Sequence, residues 1–318
     1  MTYVKSLSEY IDEISELNAK FETGQLLYRG HSNRSFKAEP SVLRTLDVQH
    51  REHEMLRQLF AEHPDDFSRD TSRFEHLARA QHYGLPTRLL DVSRNPLVAL
   101  YFACEGSDDA KDQNKGKRKR RAAGEVVVFL PGGMRKSFFD SDAVSYLCCL
   151  AYMTFKEKQD LKDHLLRCRE EAQRETYEQT EDDFRQLFFE RFNKGACVQD
   201  LVRLVRAENR GVKDTIHPED LMNIVSVVPR KLDVRISSQS GEFLIFGLFN
   251  PERELSESTT RDPEPSRHFL QGFERYEIYI SPKDKSSILK DLNALGVSHE
   301  TLFPSLEGTA KRIKEGRL

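Results

Sequence analysis

The chain has 318 residues, 38% hydrophobic and 32% charged, with a net charge of −3; this polar but globular balance excludes a disordered chain and a molecule-wide attraction to nucleic acid. No run of about 18 apolar residues is present to span a membrane, and Met1-Thr2-Tyr3-Val4-Lys5 lacks the apolar core of a signal peptide. Five cysteines, an odd number without Cys-x-x-Cys spacing, argue against a disulfide framework or a zinc site, so a reduced, cytoplasmic protein without a structural metal is expected.

In chain order, Val4, Leu7, Ile11, Ile14, Leu17 and Phe21 recur at steps of three and four. They predict an amphipathic helix over 4–21, capped by Ser6 or Ser8 and ended by Gly24. Leu26-Leu27-Tyr28 reads as a short buried strand that delivers Arg29, Gly30 and His31. A charge there must be paired or reach a cleft, because an unpaired buried charge is costly. Residues 32–48 read as an ordered loop. Residues 49–79 are helical, broken at His63-Pro64-Asp65-Asp66.

The stretch Ala80-Gln81-His82-Tyr83-Gly84-Leu85-Pro86-Thr87-Arg88-Leu89-Leu90-Asp91 gathers donors, acceptors, a titratable ring, a cation and an anion. Gly84 allows a positive φ, and Pro86 fixes its own φ and restricts Leu85. The expected form is a helix ending near Tyr83, a rigid turn, and a second helix from about Ser93. Such a turn either presents a site or is a corner whose polar groups only cap and pair. Asn95-Pro96 then opens an apolar run to Cys104, read as a buried helix whose N-terminal amides favour an anion.

Residues 106–124 are the clearest loop. Six of the seven residues Lys115 to Arg121 are basic. Lys117, Arg118, Lys119, Arg120 and Arg121 are either solvated or a nucleic-acid contact that releases counterions from phosphates. Glu125 to Leu130 is a strand, and 143–155 and 159–192 are helical. Leu221 to Val228 reads as a strand. In Val234 to Phe246 the second half is a strand, and Gly241 marks a turn, a bulge or a close approach. A loop over 250–268, a strand over 276–280 and a helix from Lys285 ended by Gly296 complete the chain, with a short terminal helix after Pro304. The fold expected is a single α+β domain over 1–318. Its central, mostly antiparallel sheet has strands near Leu26, Val126, Ile224, Phe243 and Ile278. Helices flank the sheet, and residues 143–210 form a helical insertion.

Four segments together resemble the FRG-domain family, named for a phenylalanine-arginine-glycine-type signature. They are Tyr28-Arg29-Gly30; Ala80 to Asp91 with Asn95-Pro96 and Ala99 to Ala103; Arg235 with Gln239, Gly241 and Phe243; and Gly296-Val297 with Leu302-Phe303-Pro304. More remotely the chain is similar to the ADP-ribosyltransferase fold, whose site opens with a strand bearing Tyr-Arg-Gly. That resemblance implies NAD as substrate. Arg29, with Gly30 and Arg88, would hold the diphosphate, Tyr83 would stack on nicotinamide, and Ser237 and Ser238 would support the site. Gln239 or Glu242 would take the late catalytic position. Gln239 and Glu242 stand three apart, not two, so Asp91 or His82 is expected to act as the base. The implied function is a toxin of phage defence that transfers ADP-ribose to nucleic acid, RNA ahead of DNA, restrained by a protein antitoxin. Two other readings are a metal-independent nuclease using His82, Arg29, Arg88 and His31, and a binding module in which Arg29, Arg88 and Asp91 form an ion-pair network.

Overall fold

A computed structural model describes residues 2–21, 25–105, 122–130, 135–231, 234–249, 274–304 and 313. The first half runs β1 (Thr2–Val4), α1 (Leu7–Lys20), β2 (Leu27–His31), α2 (Leu46–Glu62), α3 (Pro64–Phe67), α4 (Arg73–His82), β3 (Leu89–Ser93), α5 (Pro96–Cys104), β4 (Gly124–Phe129) and β5 (Arg135–Phe138). The second half runs α6 (Asp142–Cys149), α7 (Phe155–Glu175), α8 (Glu181–Phe192), α9 (Ala196–Arg206), α10 (Pro218–Met222), β6 (Ile224–Val228), α11 (Val234–Ser238), β7 (Gly241–Phe246), β8 (Arg275–Ile280), α12 (Lys285–Ala294) and α13 (His299–Leu302). The class is α+β.

The strands form one eight-stranded sheet in the order β1-β8-β4-β2-β3-β7-β6-β5. Its interior pairs are antiparallel, and the pairs at both edges, β1 with β8 and β5 with β6, are parallel. The sheet is therefore mixed, not the mostly antiparallel one expected. Both edge strands are short and join partners far away in sequence, Thr2 opposite Ile278 and Arg135 opposite Val225. Local periodicity carries no trace of such pairing.

Helix α1 shows how the pattern becomes structure. Ser6 accepts from the Glu9 amide as N-cap, and Leu7, Tyr10, Ile14 and Leu17 form the buried stripe. Ile11, expected on that stripe, is exposed. At the C-terminal end of α4, Gly84 does adopt a positive φ of 89°. The segment after it differs from expectation: residues 89–93 are strand β3, not a turn leading to a helix. Leu89 packs in one hydrophobic cluster and Leu90 and Val92 in another, so both faces of the segment are buried. Further differences lie in the second half, where α6 ends at Cys149 and the helix expected over 159–192 is two, α7 and α8. Pro218–Met222 is a helix ahead of β6, and Val234–Ser238 is helix α11.

One face of the sheet carries two cores. The larger joins α2, α4, α6 to α9 and strands β3, β6 and β7. It contains the helices expected as an insertion; Leu161, Leu165, Phe192 and Leu201 are fully buried in it. The second core packs α1, α5 and α12 on β2, β4 and β8. Gly30 allows α5 to lie directly on β2, since a Cβ there would come within 1.9 Å of the Ala99 carbonyl oxygen. A smaller cluster on the opposite face holds Leu27, Val127 and Phe129 together with Leu90, Val92, Leu244 and Phe246.

Candidate active site

Strand β2 pairs with β4 over its whole length, Leu27–His31 against Glu125–Phe129, and β3 pairs fully with β7. Between β2 and β3 only Tyr28 and Ser93 are in register. The sheet thus opens beyond that pair, and Arg29 sits at the opening. Its side chain is 21% exposed. Nη1 donates to the Asp91 carbonyl oxygen at 2.5 Å and lies 3.9 Å from Asp91 Oδ2. Nε donates to His31 Nε2 at 3.1 Å. A guanidinium has five N–H donors, so these two bonds leave capacity for an incoming anion. Burial lowers the Arg29 pKa, Asp91 acts the other way, and the like charge of Arg44 adds to the lowering; the group stays a cation.

His31 is held on its other side. Nδ1 is 3.1 Å from Glu125 Oε2, and both side chains are buried. Because Nε2 accepts from Arg29, Nδ1 carries the hydrogen that Glu125 accepts. Burial lowers the His31 pKa, the Glu125 hydrogen bond opposes this, and Arg29 adds to the lowering, so the ring is neutral near neutral pH.

Asp91 is 64% exposed in the middle of an otherwise buried strand. Gln81 Nε2 donates to its Oδ2 at 2.8 Å. The orientation of that amide is set from behind: Thr87 Oγ1 donates to Gln81 Oε1 and accepts from the Leu89 amide. The stretch Gln81 to Asp91 therefore aims a carboxylate at the opening.

Asp91 and Arg29 each border a hollow, one on either side of their contact. One, of about 420 Å³, has Phe74, Phe243 and Ile236 in its wall and Gln81, His82, Tyr83 and Asp91 along it. The other, of about 860 Å³, is lined by Arg29, His31, Lys37 and Arg44. Both volumes fall in the range of small-molecule sites.

A family model described as the FRG domain matches residues 24–113, the span that contains Arg29, Gln81 and Asp91. Residues 24–113 carry an FRG domain. No curated protein and no solved structure matches the chain.

Of the residues expected to form a site, the FRG domain brings Arg29, Gly30, His82, Tyr83 and Asp91 to these two hollows. Gly30 acts through backbone packing under α5. Arg88 is not among them. It is buried, its Nε and Nη2 bond the two Glu52 oxygens at 2.9 and 2.7 Å, and Nη1 donates to the Phe246 and Gly247 carbonyls. Its donors are committed to the fold, so the diphosphate role does not fit it. Ser237 and Ser238 lie in helix α11, not on a strand; Ser238 Oγ bonds the Arg235 and Leu302 carbonyls.

Gln239 and Glu242 both border the smaller hollow. The Gln239 amide is bonded to the Leu302 carbonyl. Glu242 is opposite Val92 and alternates with Phe243, which is opposite Asp91. Its side chain therefore lies on the other face of the strand from Asp91, beside Arg94, Lys136 and Ser226. His82 and His31 border different hollows, so the paired histidines of the nuclease reading are not assembled. Lys117, Arg118, Lys119, Arg120 and Arg121 lie outside the described residues. Among the described residues there is no cluster of three metal-ligating side chains, and no helix is long and apolar enough to cross a membrane.

Sequence reasoning missed Glu125, Lys37 and Arg44 as neighbours of Arg29. Glu125 is the second residue of β4, and only the register Glu125 to His31 reveals it.

Proposed function

We propose that the protein is an NAD-dependent ADP-ribosyltransferase acting on nucleic acid. The observation that carries the reading is Arg29, a cation held at the opening of the sheet with donors to spare, in contact with an exposed carboxylate. Guanidinium suits a diphosphate because it forms parallel, charge-assisted hydrogen bonds. The smaller hollow, with aromatic wall and polar rim, suits the nicotinamide ribose, and Tyr83 at its edge offers a stacking face. The bond from ribose C1′ to the nicotinamide nitrogen breaks, and nicotinamide leaves with the electron pair. The acceptor oxygen or nitrogen attacks C1′, and its proton passes to Asp91, which Gln81 orients. Such an activity inside a cell calls for a restraining protein partner.

The test uses NAD labelled in its adenylate half, incubated with the protein and with RNA, DNA or lysate protein in turn. Label should pass to RNA. Arg29→Ala should weaken NAD binding by about 10- to 150-fold, the value of a charged hydrogen bond. Asp91→Asn should bind NAD and transfer about 10²- to 10⁴-fold more slowly. Absence of NAD binding by calorimetry would sink the reading. Binding without transfer or nicotinamide release would make this a non-catalytic binding module.

A further inference from the structure

The segment between β2 and α2 interleaves aromatic and basic side chains on an open surface. Phe36 is 54% exposed, an unusual position for a phenylalanine. Lys37 and Arg44 are exposed at the larger hollow, and neither is ion-paired among the described residues. Arg34 is exposed and donates through Nη1 to the Tyr3 hydroxyl at 3.2 Å; Tyr3 is 48% exposed. Two carboxylates also border the hollow. Glu39 is buried, and Glu105 accepts from the Tyr101 hydroxyl and lies 3.5 Å from His299. The balance of the open surface is cationic.

This surface is continuous with the site. Phe36 meets the His31 ring edge-on at 6.4 Å, and His31 bonds Arg29. We propose that Arg34, Phe36, Lys37 and Arg44 bind single-stranded RNA and lead it to the Arg29–Asp91 opening, which names the acceptor surface within the function proposed above. Single strands are held by a cationic track for phosphates and aromatic faces for bases. Here Lys37, Arg44 and Arg34 meet phosphates and Phe36 stacks on a base. Ser32 and Ser35 on the hollow offer hydroxyls to a ribose 2′-OH, which favours RNA over DNA.

The test is fluorescence anisotropy of the full chain with labelled oligo(U) of roughly 12 nucleotides, a length within the usual site sizes. No NAD is added, so failure here is separable from failure of the transferase reading. Phe36→Ala should weaken oligo(U) binding about tenfold with an unchanged salt dependence, as lost base stacking requires. Lys37→Gln with Arg44→Gln should lower the slope of log affinity against log salt by about 1.4, two phosphate contacts on a single strand. Tyr177→Ala, an exposed aromatic beyond α7, should change neither. All variants are surface changes, and each is checked for an unaltered melting temperature. Three results would each overturn the proposal: no oligo(U) binding, wild-type affinity and slope in the Phe36 and Lys37/Arg44 variants, or equal binding of oligo(dT).

Discussion

Arg29 and Arg88 are the same chemical group in two environments. Arg88 lies in a closed network: Glu52 accepts from it through two bonds and from Lys158 Nζ at 2.5 Å. Burial alone would raise the Glu52 pKa, but Arg88 and Lys158 outweigh it and the net shift is downward. A carboxylate with a lowered folded-state pKa stabilises the fold above its unfolded value, here 4.5, and that contribution is lost as pH falls through the folded value. Arg88→Ala should cost about 3–5 kcal/mol, because it breaks a buried pair and leaves Glu52 with Lys158 alone. Urea unfolding at pH 7 measures the loss. The gap between wild type and variant should narrow as pH drops below 4.5. An unchanged gap would mean that Glu52 is not the partner that matters. Nothing in the sequence separates Arg88 from Arg29, because the deciding carboxylate is 36 residues away on α2.

At the scale of elements, strands β2, β4, β6, β7 and β8 are legible as apolar runs. Strands β1, β3 and β5 are not. The first is three residues long, β5 is Arg-Lys-Ser-Phe with one buried residue, and β3 hides between a turn and a helix. Helix ends rest on local caps, yet α7 begins at Phe155 where the sequence predicts a helix from 159. Thr154 and Glu157 form a capping box on α7, each bonding the other's backbone amide. Lys158 stands in the following turn and must point at Glu52. Thr154→Ala should cost about 1 kcal/mol as a lost cap, seen as a lower urea midpoint at constant slope. In an Arg88→Ala background the cost should be larger, because Lys158 is then the remaining cation on Glu52. Strict additivity would show that the cap does not position Lys158.

At the scale of the molecule, two half-sheets meet along the β2–β3 opening, joined in register at one residue pair. The small cluster on the far face ties them, since Leu27 and Phe129 come from one half and Leu90, Leu244 and Phe246 from the other. Phe129→Ala should cost about 3–5 kcal/mol. By hydrogen exchange, amide protection should fall in both β2 and β3 while α7 to α9 keep theirs. Protection lost in β4 and its neighbours alone would show that the halves are held by something else.

The chain by itself determined the α+β class, the interior strands other than β3, the turn at Gly84 and the residues of the FRG segment, because each rests on patterns within about a dozen neighbours. The tertiary structure decided which of those residues share a site. Arg29 and Asp91 are 62 positions apart and meet across the opening. Arg88 is drawn into the core by Glu52, and Glu242 is turned from Asp91 by strand alternation. Those outcomes depend on register and long-range charge pairing, which no local window contains.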